Sequence, residues 1–243
     1  MKKIVVTDYL PNLSIDCVIF GYKNKELKVL ISKLSYGNNL WALPGGYVLK
    51  RESTDTAAAR ILQERTGLSD IYLDQFRVFG GENRIIGSPH KNEILEALKT
   101  LEGNNFDKKT IDWVTDRFVC VGYYALVDID KVTPKTGGLE KQLQWESIMD
   151  LPKMTHDHNE IVTYAIKALR QNLDEKLIGF NLLPDEFTMK EVKQLYEVVY
   201  NKTFPMNNFQ KKILALNVLE RLGKKFTGAQ NRAPFMYRFL KDQ

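Results

Sequence analysis

The stretch that most restricts the fold runs from residue 45 to residue 68. Gly45-Gly46 opens a turn, and Tyr47-Val48-Leu49-Lys50-Arg51-Glu52 leads out of it. A helix-forming run reaches Arg60 and continues through Ile61-Leu62-Gln63-Glu64-Arg65-Thr66 to Gly67-Leu68. Arg60 and Glu64 lie four apart and share a helix face. Ala58 and Leu62 are also four apart and can pack the helix on a sheet. Gly67 stands where a helix end needs positive φ, which glycine adopts without a Cβ clash.

The spacing resembles the Nudix box, G-x5-E-x7-R-E-U-x-E-E-x-G-U, with U apolar. Gly46, Glu52, Arg60, Leu62, Glu64, Gly67 and Leu68 match. Trp41-Ala42-Leu43-Pro44-Gly45-Gly46 also resembles the W-x-L-P-G-G approach of that family. Two positions depart: Ile61 stands where the box has Glu, and Arg65 replaces the second Glu of the pair. Positions 61, 64 and 65 share one helix face. The resemblance implies that active members hold magnesium there with carboxylates, one of which acts as base. Here that face offers an isoleucine, one carboxylate and a guanidinium. One positive charge about 6 Å from a divalent ion costs roughly 5 kcal/mol at an effective dielectric near 20. The sequence therefore predicts a Nudix fold without hydrolysis, with no catalytic residue, metal or cofactor.

A length of 243 residues allows one large or two ordinary domains, and an apolar share of 44% supports a packed core. The start, Met1-Lys2-Lys3-Ile4-Val5-Val6-Thr7-Asp8, is too short and too soon acidic for a signal peptide. The longest apolar run, 118–127, is half a membrane span. Cys17 and Cys120 fall in apparent strands and read as buried reduced thiols of a cytoplasmic protein. Net charge is uneven. Residues 201–243 carry nine Lys or Arg against two acids, and the rest of the chain 26 against 28. A basic tail on a near-neutral body suggests a polyanion partner, although a solvated lysine face gives the same count.

Residues 13–22 and 27–34 read as strands joined through Lys23-Asn24-Lys25, rich in β-branched residues. Residues 71–79 and 117–128 add two more. Residues 80–115 look like an insertion, with an amphipathic helix at 92–101; a lid, a dimer contact and a passive element all fit it. Leu151-Pro152 is a natural boundary, giving a domain 1–155 and a domain 156–243. Asp157 reads as the N-cap of a helix over 157–173, with Glu160 three later. His156-Asp157-His158 allows a metal reading, but neither a thiol nor a third histidine lies near in sequence.

The second domain carries a motif of its own. Thr188-Met189-Lys190-Glu191 is a capping box, and the helix it opens runs to about Tyr200. A short turn through Pro205 follows, and Asn207 can cap a further helix with Gln210 three later. There Phe209, Ile213 and Leu216 face inward, whereas Asn208, Lys211, Lys212 and Ala215 face out. A short strand at 177–180 and two strands at 224–227 and 235–239 complete a winged helix-turn-helix. The candidate DNA contacts are Thr188, Asn207, Asn208, Gln210, Lys211, Lys212, Lys224, Lys225, Gln230, Asn231 and Arg232. Amides suit adenine edges, lysines suit guanine or phosphate, and a helix N-terminus adds a phosphate site. A small helical cap domain with ordinary lysines is the bland alternative.

An α/β Nudix-like domain followed by a winged helix resembles the Nudix-related transcriptional regulators of the NrtR and AraR types. Leu183-Pro184, Phe187-Thr188, Leu195-Tyr196-Glu197, Asn208-Phe209-Gln210-Lys211-Lys212 and Met236-Tyr237-Arg238-Phe239 carry the second half of that resemblance. It implies a homodimer on palindromic operator DNA, released when an effector fills the Nudix pocket. The arginine-rich stretch that NrtR-type members carry after the fourth strand is missing, which points away from an ADP-ribose-like effector. With the metal face gone, a diphosphate ligand loses its usual partner, and the resemblance to the AraR type, rather than any residue, implies a neutral pentose such as arabinose. Trp41, Glu52, Arg60 and Glu64 are the candidate effector contacts. Trp41 can equally be core, and Arg60 can serve only to bridge Glu52 or Glu64. Two other functions stay open: a Nudix hydrolase with relocated ligands such as Asp116, and a nucleotide-binding module that recruits a protein.

Overall fold

The computed structural model describes residues 5–82, 84, 92, 93, 96, 107–175, 178–224 and 233–240. A long strand β1 (Tyr9–Lys23) is the spine. It pairs in parallel with β6 (Val119–Val127) and antiparallel with β2 (Glu26–Leu34) and β4 (Gly45–Leu49). β5 (Tyr72–Phe79) extends the sheet beside β6, and β3 (Trp41–Ala42) and β7 (Glu140–Ser147) pair with β2. Asn24 and Lys25 both take positive φ, 54° and 61°, so the β1–β2 turn matches the strand twist.

Alternate residues of β1 face opposite sides, and each side has its own core. Ile15, Cys17 and Ile19 meet α1 (Thr54–Thr66) through Ala57, Ala58, Ile61 and Leu62. Val18 and Phe20 join a second core, shared with α3 (His158–Glu175) and α4 (Met189–Tyr200). That second core runs unbroken to Phe209, Ile213 and Tyr237. The C-terminal unit is therefore packed on the back of the sheet. α2 (Lys108–Val114) belongs to the inserted region and is capped by Asp107, whose carboxylate accepts from Thr110 N at 2.8 Å.

The C-terminal order is α3, a 3-10 turn (Ile178–Leu182), β8 (Phe187–Thr188), α4, α5 (Met206–Ala215), β9 (Leu219–Lys224) and β10 (Phe235–Phe239). β10 sits between β8 and β9. The winged helix stands, with several corrections. The short strand expected at 177–180 is replaced, over the described residues, by the 3-10 turn. The third wing strand is Phe187–Thr188, whose second residue opens the capping box. The first wing hairpin strand is described over 219–224; of the expected strand 224–227 only Lys224 is a described residue, and it lies in the strand. Asn207 is not the N-cap of α5: Pro205 holds that place, with no side-chain cap bond. Leu216 does not face inward but ends the helix, exposed. β7 and α2 had no counterpart in the sequence reading. The expected helix 92–101 lies outside the described residues, apart from 92, 93 and 96.

Cys17 and Cys120 are free and buried, as expected. Burial pushes the Cys17 thiol up to about 12, so it stays protonated and inert. Among the described residues no helix is long and apolar enough to cross a membrane.

Candidate effector pocket and DNA-facing helix

The box helix is built as its residues require. Ser53 caps it, its hydroxyl accepting from Thr56 N at 3.1 Å. Gly67 ends it at φ 74°, its N–H donating to Gln63 O at 2.8 Å. The box turn is tight: a Cβ on Gly45 would meet Asp16 Oδ1 at 2.5 Å, and one on Gly46 would meet Ile61 Cδ1 at 3.0 Å.

Three of the four expected effector residues come together. Arg60 donates to Glu52 through Nε at 3.1 Å and Nη2 at 2.6 Å, and to Tyr47 O at 3.0 Å. Glu64 lies 3.5 Å from Arg60. Glu52 also accepts from Leu49 N at 2.8 Å. Its hydrogen bond from Arg60, with that backbone bond, holds its carboxyl below the usual range against the pull of burial. Arg60 thus bridges both acids and orients the box loop. Trp41 is elsewhere. It packs against the core shared with α3 and α4, with Lys33 Nζ 5.3 Å from its ring.

The two departing positions leave the box without two of the carboxylates that the resemblance assigns to magnesium. Ile61 is buried in the core beneath Gly46 rather than presented beside Glu64. Arg65 donates to Glu140 at 3.1 Å and to Gly45 O at 3.4 Å. Their side chains are only 13% and 7% exposed. Arg65 is therefore not the free positive charge that the sequence suggested, because Glu140 neutralises it. Glu52 and Glu64 are in turn engaged by Arg60. Among the described residues no cluster of three His, Cys, Asp or Glu is placed to hold a metal. His156 and His158 belong to no such cluster among the described residues.

An aromatic ledge borders the box and was not legible beforehand. Trp113 of α2 lies 4.4 Å from Tyr47 and 5.8 Å from Tyr9 in ring centroids, with Phe118 at 5.2 Å. Tyr9, Tyr47 and Trp113 are each half-buried. Burial raises Tyr9, and the charges of Arg60, Glu64 and Glu52 all reach it. The arrangement can stack a flat ring beside a guanidinium and carboxylates.

Behind the box turn lies a buried charge cluster. Arg84 donates to Asp157 at 2.8 and 3.0 Å, to Asp16 at 3.0 Å and to Phe118 O at 3.4 Å. The Cys120 thiol donates to Asp16 at 2.9 Å. Leu43 N donates to His158 Nδ1 at 2.9 Å. Burial opposes ionisation of Asp16, but His158, Arg84 and the thiol bond keep its carboxyl low. Arg84 also walls a groove of about 640 Å³ between the end of β5 and the start of α3. Asp157 is thus a partner of Arg84 as well as a helix-start residue.

On the winged helix, Asn207, Asn208, Lys211 and Lys212 are exposed on α5 and Gln210 is half-exposed. Lys224 ends β9, also exposed. Thr188 departs from the DNA expectation. It is buried, and its hydroxyl is bound within the capping box to Glu191 at 2.8 Å. Lys225, Gln230, Asn231 and Arg232 lie outside the described residues.

Comparison with known proteins agrees with this architecture. The NUDIX domain family matches residues 10–165, and the family described as the NrtR DNA-binding winged helix domain matches residues 179–239. A relative from Acinetobacter baylyi, the ADPR responsive transcriptional repressor NtrR, is 24% identical over 94% of this chain and 82% of its own. The crystal structure of Shewanella oneidensis NrtR complexed with a 27mer DNA is 23% identical, with a TM-score of 0.69 over 93% of both chains. A MutT/nudix family protein from Enterococcus faecalis is 19% identical, with a TM-score of 0.65 over 95% of this chain and 86% of its own. The pentose expectation gains no support, since the Acinetobacter relative is named for its response to ADPR. The α5 face and the occupied box thus sit in a recognised frame: this chain belongs to the Nudix family, with a NUDIX domain followed by a DNA-binding winged helix domain of the NrtR type.

Proposed function

We propose that this chain is a transcriptional repressor whose grip on DNA is released by ADP-ribose or a close nucleotide relative. The observation that carries the reading is Arg65 bound to Glu140 inside a box whose other departure is the buried Ile61, on the chain that also exposes α5. The pocket keeps its shape and lacks the acids for turnover. A nucleotide diphosphate suits it better than a free pentose. The Trp113–Tyr47–Tyr9 ledge offers a base a flat partner, and the Arg60 cluster lies beside it. The Acinetobacter relative supports the same class of effector. The sensing function belongs to the first domain and the DNA function to the second, and two copies would read a palindromic site.

The test is calorimetric titration with ADP-ribose, arabinose and xylose, paired with a gel shift on the DNA upstream of the chain's own gene. Heat with ADP-ribose and loss of the shifted band are expected. Heat only with a sugar, or a band unmoved by any of the three, would reject the effector assignment. A second reading keeps hydrolysis; magnesium-dependent cleavage of ADP-ribose would establish it.

A further inference from the structure

The winged helix seats three exposed cations on aromatic rings: Lys202, Arg221 and Lys224, the last with its Nζ 5.4 Å from the Phe235 ring centroid. Lys202 lies in the turn between α4 and α5, its Nζ 5.2 Å from the Tyr200 ring and 5.0 Å from the Phe204 ring. Arg221 lies on β9, its guanidinium carbon 3.4 Å from the Phe235 ring centroid. One precedes α5 in the chain and the other follows it. A ring beneath a cation fixes its position without neutralising it. A stacked guanidinium also keeps its N–H edge directed outward, the geometry that suits a phosphate.

The neighbouring charges sharpen the contrast. Arg238, on the adjacent strand, is bound by Glu220 at 2.6 Å. Lys193 is bound by Glu197 at 2.6 Å. Glu220 is the only acid in the described part of 201–240, and Arg238 already holds it. Among the described residues no carboxylate pairs with Lys202 or Arg221. Successive residues of a strand face opposite sides, so Arg221 is turned away from Glu220. It stands opposite Tyr237, whose side chain packs into the core shared with α4 and α5. Arg221 therefore projects from the helix-bearing side of the wing sheet.

We propose that Lys202 and Arg221, each seated on an aromatic ring, are two DNA-phosphate contacts that bracket α5. They set its register on the duplex without reading bases. The proposal rests on the DNA-binding reading of this domain. The test uses the full chain, fluorescence anisotropy and two duplexes: the chain's own upstream DNA and a random sequence of equal length. Lys202→Ala and Arg221→Ala should each weaken both duplexes by the same factor. Each should also lower the slope of log affinity against log salt by about 1. Arg221→Lys keeps the charge and should keep the slope, whereas Phe235→Leu keeps the arginine but loses its seat and should weaken both duplexes. A role confined to folding would shift thermal stability and leave the salt slope alone. An unchanged slope in both alanine variants overturns the proposal while DNA binding stands. Failure of the wild-type chain to bind either duplex would remove the DNA-binding reading and the proposal with it.

Discussion

Arg65→Ala strikes the feature that separates this pocket from a magnesium site. It removes the guanidinium that neutralises Glu140. Among the described residues Glu140 then keeps only its hydrogen bond from Gly137 N, in a place where its side chain is 7% exposed. Removing one partner of a buried pair leaves an uncompensated charge and costs about 3–5 kcal/mol. Arg65 is 13% exposed, so some water reaches the pair and the lower end, about 3 kcal/mol, applies. For a chain of this size that corresponds to a fall in Tm of roughly 6–12 °C. Adding Glu140→Gln removes the orphaned charge and should restore more than half of the loss. Thermal denaturation followed by circular dichroism, on the two single variants and the double, gives the coupling directly. A single variant melting within about 1 °C of wild type would refute the buried-pair account. A double variant no more stable than Arg65→Ala would refute it equally.

Three further outcomes follow from the same geometry. Burial, with His158 and Arg84 adding to it, pushes His156 down to about 4, so the fold holds it neutral while the unfolded chain protonates near 6.5. That stability is complete above 6.5 and lost as pH falls toward 4, about 2 kcal/mol between pH 8 and pH 5. Urea unfolding at the two pH values should show it, and His156→Asn, which tolerates the positive φ there, should reduce it. Thr188→Ala removes the capping box of α4 and should cost about 1 kcal/mol with the DNA salt slope unchanged, since Thr188 is buried. Lys211→Ala should weaken DNA of every sequence and flatten the salt dependence, whereas Asn208→Ala should change sequence preference. Equal losses on specific and random DNA for both would mean that α5 is not the reading helix.

What the sequence made legible was local. The box helix, Gly67 at its end and the Thr188–Glu191 cap each depend on a few residues at fixed spacing, and all form as read. The paired strands β1 and β2 were equally plain from their β-branched runs. What failed depended on distant partners. Gln142, Gln144 and Glu146 alternate with Leu143 and Trp145 as a half-buried strand does, but β7 is a strand only because β2 lies beside it. Asn207 is a good capping residue, yet Pro205 caps the helix two residues earlier. Arg65 looked like a free charge because Glu140, 75 residues away, is invisible at that range. Trp41 drew attention through its motif, whereas Trp113 reaches the box only because α2 lies against Tyr47 of β4.

The central claim is a sensor that holds a phosphoanhydride without cutting it. One measurement bears on that most directly. The purified chain, bound to fluorescent upstream DNA in magnesium buffer, is titrated with ADP-ribose, and the nucleotide is then recovered by chromatography. Release of the DNA with every molecule of ADP-ribose intact is the predicted result. Recovery of AMP and ribose 5-phosphate, formed in proportion to the chain present, would contradict it.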